Sequence, residues 1–207
     1  MEKIREAFDR LGKSKSITEV NRILDDLDIA YKYRMNDEFY PEIKFKITKA
    51  EIEKLKGENV ITEKNLLSDF SSTDTLTKLL YSVSWKNGDL KKITHIIEGI
   101  ISGQEDDKEN GLVFYQFGKY LTKKPGEPII DQHVLRAFGI FRANGDEDKI
   151  ERLRRLSLIT KKEKELIEQY KLWLRNDLTK ELRDNEQYSY HVDKVLFALG
   201  KSVKTQR

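Results

Sequence analysis

Residues 111–141 read GLVFYQFGKYLTKKPGEPIIDQHVLRAFGIF, and this stretch carries the clearest structural signals of the chain. Apolar and aromatic residues at helical spacing predict a helix near 111–121, and the turn residues at 123–128 predict a loop. Two isoleucines then precede Asp131, and an amphipathic pattern follows at once. We therefore expect Asp131 to cap a helix that reaches the end of the stretch, and capping is its best-supported role on local physics alone.

Helical periodicity continues on both sides of this stretch. Before it, the spacing predicts helices at 2–11, 49–56 and 62–69, and one that is capped by Ser16 or Thr18 and runs to about Asp28. It also predicts one that begins at Ser72 or Asp74 and one capped by Asp89. After it, the spacing predicts helices at 147–157, 160–175, 177–185 and 188–200. With eleven Gly and three Pro in 207 residues, we expect a mostly helical chain with tight connections.

Two short segments follow a different pattern. Residues 30–35 and 43–47 alternate apolar or aromatic residues with charged ones, which is the period of a strand, and turn residues lie between them. The sequence therefore predicts a small antiparallel β-hairpin with Lys on its solvent face. The predicted fold class is mainly α, a multi-helix bundle with a small N-terminal β-hairpin. We expect a mixed α/β portion at 1–72 and an all-helical portion at 73–207, either sharing one core or separate.

The composition excludes several classes of function. The chain has no Cys, which excludes disulfides, thiolate nucleophiles and Cys-ligated metals. Its three His residues lie far apart, and no glycine-rich phosphate loop, GxSxG, HExxH or EF-hand pattern occurs. We therefore expect neither a metal nor a cofactor. No apolar run is long enough for a membrane helix, and the first residues lack a signal core, so we expect a cytoplasmic protein without membrane contact.

The charges are nearly balanced overall but not along the chain. The chain carries 39 basic and 36 acidic residues, a net charge of +3. Residues 103–110 are acidic, whereas residues 149–164 and the tail at 201–207 are basic. The basic segments either hold an anionic partner through phosphate contacts, or form solvated helix faces in which acids lie three or four residues from bases. Charge alone favours the solvated faces.

The segment PIIDQHVLRAF resembles the start of the active-site helix in the helix-hairpin-helix DNA glycosylase superfamily, in its 8-oxoguanine glycosylase-like and endonuclease-like branch. It matches the family pattern at His133, Val134 and Arg136, and has Gln132 where the family usually has Thr. A weaker resemblance extends over about residues 75–201. It implies a glycosylase-like helical bundle with DNA as partner. It also implies that Asp131 is the catalytic carboxylate, which stabilises the cationic sugar or orients the attacking water or amine.

The chain departs from this family in two places. The family hairpin normally reads Leu-Pro-Gly-Val-Gly. In this chain an acidic segment stands at that position, and only Gly111 matches the hairpin pattern. The nucleophilic Lys of the bifunctional members corresponds to Val113, so the resemblance implies a monofunctional enzyme that uses water. Lys119 is a further candidate catalytic residue, because a Lys nucleophile need only lie close to the reacting atom in space and have a lowered pKa.

The remaining candidate residues follow from this resemblance and from charge. A flipped base needs stacking and reading partners, and the predicted substrate-binding residues are Tyr115, Tyr120, Gln132 and His133. The predicted nucleic-acid contacts are Lys123, Lys124, Arg136, Arg152, Arg155 and Lys161.

Two functions are left open. The first is a DNA repair enzyme that hydrolyses the N-glycosidic bond of a damaged or modified base. The second is a non-catalytic nucleic-acid- or protein-binding module on the same scaffold.

Overall fold

The structure is a computed structural model that describes residues 1–58, 60–61, 74–102 and 111–205. These residues form eleven α-helices and two 3-10 helices, at Tyr31–Tyr33 and Lys161–Glu163. In chain order the α-helices are α1 (Glu2–Lys13), α2 (Ile17–Asp26), α3 (Lys49–Gly57), α4 (Thr75–Lys86), α5 (Leu90–Ile101), α6 (Leu112–Leu121), α7 (Gln132–Arg142), α8 (Glu147–Arg154), α9 (Lys164–Asn176), α10 (Lys180–Arg183) and α11 (Tyr188–Ser202).

The predicted mainly α class is confirmed, because local signals place most of the helices. Ser16 caps α2 and Asp131 caps α7, each through a side chain that accepts a backbone N–H. The predicted helix at 62–69, the acidic segment at 103–110 and the predicted boundary between residues 72 and 73 lie outside the described residues. Within the described ranges, no helix has the length and apolar character that crossing a membrane requires.

The predicted β-hairpin is wrong, since the part of the chain that the structure describes contains no strand. The first predicted strand is replaced by the 3-10 helix at Tyr31–Tyr33. Arg34 explains this, because its guanidinium donates to the carbonyl oxygens of Ile29 at 2.9 Å and Leu24 at 3.2 Å. These bonds tie the segment to the end of α2 and leave Tyr31 82% exposed, rather than pairing it with a second strand.

The second predicted strand, at 43–47, has no regular structure. The carbonyl oxygen of Ile43 accepts hydrogen bonds from Lys123 Nζ at 2.6 Å and from Gln187 Nε2 at 3.2 Å. Side chains distant in sequence therefore take the place that a neighbouring strand would have taken. An alternating pattern cannot reveal this, because it contains no information about such partners.

The chain folds into two compact units, and the first is discontinuous in sequence. Unit 1 consists of Met1–Lys44 and Lys123–Arg207. In unit 1, α7 packs against α1, α8, α9 and α11, and α11 also packs against α2. The aromatic core of unit 1 contains Phe8, Phe138, Tyr170 and Trp173, whose rings lie 5.0–6.1 Å apart where they meet. Helix α7 is therefore the central element of unit 1.

A glycine permits the close crossing of α7 and α11. A Cβ atom placed on Gly200 would lie 1.9 Å from the carbonyl oxygen of His133, which is backbone and has little room to move. The start of α7 therefore lies directly against the C-terminal turns of α11. This crossing holds the N-terminus of α7 in a fixed place within unit 1.

Unit 2 consists of Phe45–Thr122. Its central feature is the crossing of α5 and α6, where a Cβ on Gly99 would lie 2.0 Å from the carbonyl oxygen of Tyr115, and one on Gly118 would lie 2.1 Å from that of Ile96. Helices α3 and α4 both contact α5. Helix α4 buries no residue, and its large apolar side chains are 59–65% exposed.

Candidate functional site

Asp131 is the N-cap of α7 and holds an extended backbone conformation. Its Oδ1 accepts a hydrogen bond from the backbone N–H of His133 at 2.6 Å. Within the described residues, Oδ2 accepts no hydrogen bond, and the side chain is partly exposed. The cap therefore fixes the carboxylate through one oxygen and leaves the other available, so capping and a chemical role are compatible.

His133 lies in the first turn of α7 and is neutral in this arrangement. Its Nδ1 lies 2.5 Å from Nη1 of Arg136, and a guanidinium can only donate, so Nδ1 accepts and the ring proton sits on Nε2. Burial lowers the pKa of His133; the carboxylate of Asp131 opposes this shift, and the charges of Arg136, Lys204 and Lys201 add to it. These four charged groups therefore all lie near one imidazole.

Arg136 was predicted to contact nucleic acid, but its side chain is fully buried, with 0% exposed surface. Its guanidinium donates to the carbonyl oxygens of Gly200 at 2.8 Å, Leu153 at 3.2 Å and Leu156. A cation without exposed surface cannot reach a phosphate, so this prediction is corrected. The guanidinium joins α7 to the end of α8 and to α11.

An open cleft of about 1120 Å³ lies beside the start of α7 in unit 1. Three cations and several hydroxyl groups line it together with the imidazole, among them His133, Arg155, Ser157, Lys201, Ser202 and Lys204. Arg155 was predicted from the sequence. Lys201 and Lys204 were not, although the basic tail noted in the sequence contains them. The cleft is a concave surface of cations and hydroxyl donors, which suits an anionic ligand.

The other predicted basic residues lie away from this cleft. Arg152 lines a smaller cleft in unit 1 together with Lys149 and Lys162, whereas Lys124 and Lys161 are exposed. Lys123 has an internal role, since its Nζ donates to Ile43 O and, at 3.1 Å, to the side-chain oxygen of Gln187.

Partial burial lowers the pKa of Lys123, and the nearby carboxylates of Glu186 and Glu42 oppose the shift. Of the predicted cations, Arg155 alone is a lining residue of the cleft beside α7.

The predicted pocket residues Tyr115, Tyr120 and Lys119 belong to unit 2, whereas Asp131 and Gln132 belong to unit 1. Tyr115, Lys119 and Tyr120 lie on α6 and are buried. Lys119 Nζ lies 5.2 Å from the ring centre of Tyr115. Gln132 is the first residue of α7, and its buried Oε1 has no hydrogen-bond partner in the described part of the chain. The structure therefore brings His133 and Arg155 together at the cleft but assigns the predicted tyrosines to another unit.

Comparisons with known proteins found no family model, no curated protein and no solved structure that matches this chain. The resemblance to the glycosylase superfamily consequently rests on the sequence segment that contains Asp131, His133 and Arg136.

Proposed function

We propose that this chain is a DNA base-excision glycosylase-like hydrolase in which Asp131 is the catalytic carboxylate. The observation that carries the proposal is the arrangement at the start of α7. One oxygen of Asp131 is fixed by the N–H of His133, its second oxygen is available, and His133 lines a cleft that contains three cations. A carboxylate and a cationic surface of the kind that suits phosphate are therefore both next to His133.

The chemistry needs a fixed negative charge beside the sugar. When the bond between C1′ and the base nitrogen breaks, its electron pair leaves with the base and the sugar becomes cationic. The carboxylate of Asp131 stabilises that charge, and a carboxylate held in advance does so without reorganisation. Water then forms a bond to C1′, one of its protons passes to the departing base, and no cofactor is required.

The cations of the cleft bind the nucleic-acid backbone in this proposal. Arg155, Lys201 and Lys204 approach from the end of α8 and the end of α11, and Ser157 and Ser202 add hydroxyl donors. Contacts of this kind position a strand and contribute affinity that depends on salt, but they do not read sequence. Arg155 also pairs with Glu151 at 2.7 Å, so part of its charge is already compensated.

The test is base release from oligonucleotides that carry a panel of damaged and modified bases, in single and double strands. Asp131→Asn retains a good capping residue and removes the charge, so we expect a fall in kcat of about 100-fold or more. The matched control is Asp146→Asn at the cap of α8, where the side chain accepts from Lys149 N at 3.0 Å. Wild-type activity in Asp131→Asn, or no release from any oligonucleotide, overturns the proposal.

The second candidate is a non-catalytic nucleic-acid-binding module, and the lining of the cleft favours it. Cations and hydroxyl groups predominate there, and of the described lining residues Tyr33 is the one Phe, Tyr or Trp that could stack on a base. Three phosphate contacts give a slope of log affinity against log salt concentration of about −3. We expect Lys201→Ala and Lys204→Ala each to make this slope shallower by about 1. Lys180→Ala, on the exposed surface of α10, is the control.

The two candidates give different combinations of results. Salt-dependent binding without base release supports the binding module and rejects the enzyme. The absence of any binding to nucleic acid rejects both candidates and leaves a protein-binding role for the scaffold.

A further inference from the structure

A buried carboxyl group on α11 contacts the chain just before Asp131. Asp193 is 1% exposed, and its Oδ2 accepts the backbone N–H of Ile129 at 2.7 Å. Its Oδ1 accepts the hydroxyl of Tyr170, on α9, at 2.6 Å, and Tyr170 has no exposed surface. Ile129 precedes Asp131 by two residues. None of the chemical steps of base excision uses Asp193 or Tyr170.

The same helix also contacts the chain just after Asp131. The carbonyl oxygen of Gly200 accepts from Arg136 Nη1 at 2.8 Å, and the absence of a side chain at Gly200 lets α11 lie against the backbone of His133. Asp193 thus holds the segment before the cap, and Gly200 holds the first turn after it. One helix therefore clamps residues 129–136 on both sides of the Asp131 carboxylate.

Burying the carboxyl group of Asp193 in its charged form costs free energy. Burial raises its pKa well above the usual range; the hydrogen bonds from Tyr170 and Ile129 oppose this, and the charge of Asp131 adds to it. The effect of Asp131 means that the two carboxyl groups are near enough to interact. An apolar residue would avoid the cost of burial but would leave the N–H of Ile129 without its acceptor.

We propose that Asp193, supported by Tyr170, is a positioning residue for the catalytic carboxylate. By fixing the backbone at Ile129, it keeps Asp131 in one place beside His133, which lines the cleft, while a strand binds and the sugar becomes cationic. This inference rests on the proposed function. It goes beyond that function because it assigns a catalytic consequence to a side chain that has no access to substrate.

The test compares three variants in the base-release assay. In Asp193→Asn the amide oxygen can accept from Ile129 N–H while the amide nitrogen donates to the Tyr170 oxygen, so both contacts are kept. Asp193→Ala loses both contacts. We expect its kcat to fall by about 100-fold with KM little changed, because a shift of about 1 Å at a reacting group has effects of this size. Asp193→Asn is expected to recover most of that loss, and Tyr170→Phe to show a smaller loss than Asp193→Ala.

A second measurement reports on position without activity. The amide proton of His133 donates to Asp131 Oδ1, so its NMR chemical shift follows the place of the carboxylate. We expect this shift to move in Asp193→Ala and to remain near the wild-type value in Asp193→Asn. If Asp193→Ala does not fold, Tyr170→Phe takes its place in both measurements, and wild-type kcat in that variant overturns the inference.

The outcomes separate this inference from the proposed function. If the wild-type protein releases no base, the proposed function fails and the inference fails with it. If the wild type is active and Asp193→Ala keeps the wild-type kcat and amide shift, only the inference is overturned. The inference is also overturned if kcat falls in Asp193→Ala and Asp193→Asn does not restore it. The charge of Asp193, and not its hydrogen bonds, would then account for the loss.

Discussion

Helices α7 and α4 begin in the same way, with an Asp cap, and differ in how much of each helix is buried. Asp131 caps α7 through the N–H of His133, and Asp74 caps α4 through the N–H of Thr77 at 3.0 Å. Both helices carry apolar residues at helical spacing. Yet α7 buries every residue at 133–140, whereas α4 buries none and exposes its apolar face.

The comparison shows that a capping carboxylate is not in itself a site. The carboxylate of Asp74 is exposed, and hydrogen bonds from the side chain and backbone of Thr77 lower its pKa. It lines neither the cleft beside α7 nor the smaller cleft of unit 1, and its partner Thr77 is not buried. Asp131 differs because its own helix carries His133 and the buried Arg136, whose guanidinium is held by carbonyl oxygens of Leu153, Leu156 and Gly200. The ends of α8 and α11 add the cations of the cleft that His133 lines. Tertiary packing supplies what the local signal lacks.

The largest expected difference between the two helices is in the free energy of unfolding that is lost when a cationic side chain is replaced. Arg136→Met removes the donors to three carbonyl oxygens and to His133, and should lower the free energy of unfolding by about 3 to 5 kcal/mol. Lys78→Met, on the exposed surface of α4, should change it by less than about 0.5 kcal/mol. Urea unfolding followed by the fluorescence of the buried Trp173, in a Trp85→Phe background, measures unit 1 for Arg136→Met, and circular dichroism measures unit 2 for Lys78→Met. Equal costs for the two variants would contradict the role assigned to the buried guanidinium.

The leucines of the two helices provide the next comparison. Leu135 in α7 is 0% exposed and Leu79 in α4 is 60% exposed. Leu135→Ala leaves a cavity and should cost about 3 kcal/mol, while Leu79→Ala should stay within about 0.5 kcal/mol. The same unfolding measurement applies, with circular dichroism added for unit 2. A large cost at Leu79 would mean that the face of α4 is covered in solution.

A smaller effect is expected at a helix crossing. Gly200→Ala places a methyl group against the backbone of His133 and should cost about 2 kcal/mol through forced movement of α11. Gly57 ends α3 with no atom near its missing Cβ, so Gly57→Ala should be neutral or slightly stabilising. Thermal unfolding of both variants checks this. A neutral Gly200→Ala would show that the start of α7 is not clamped.

The smallest expected effect is a pH dependence confined to α7. Since burial lowers the folded pKa of His133, its contribution to stability is present above about pH 6.5 and is lost as the pH falls through the folded value. A protonated imidazole also loses the acceptor for Arg136. His133→Asn keeps an acceptor and does not titrate, so its stability should fall less between pH 7 and pH 5. The cap of α4 should weaken only in stronger acid, because the pKa of Asp74 is lowered from the ordinary Asp range.

The sequence predicted those parts of the fold that depend on neighbours in the chain. The cap at Asp131 was predicted, and Ser16 and Asp74 were each one of two predicted caps, because capping and helical spacing are local. The predicted cap at Asp89 was wrong in part, since α5 begins after Asp89 but, within the described residues, the side chain accepts no capping hydrogen bond. The predicted β-hairpin was wrong because Arg34 ties the first segment to the end of α2. In the second segment, the carbonyl oxygen of Ile43 is satisfied by the side chains of Lys123 and Gln187, which are distant in sequence.

The site was predicted less completely than the helices. A charged residue on an amphipathic helix is expected to face water, and the burial of Arg136 depends on carbonyl groups that end α8 and α11. Lys201 and Lys204 lie in the same cleft as Arg155, and they are close in sequence to Gly200, where α11 crosses the start of α7. Asp193 gave no local signal at all, since its partners Ile129 and Tyr170 are 64 and 23 residues away.

The discontinuity of unit 1 has a consequence for how the protein is made. Its two stretches, Met1–Lys44 and Lys123–Arg207, leave the ribosome at different times, with α11 last. At ordinary elongation rates, α1 and α2 wait on the order of ten seconds for that helix. Until α7 and α9 have emerged, Phe8 lacks its ring partners Phe138 and Trp173, so the nascent chain presents an apolar surface that chaperones can bind.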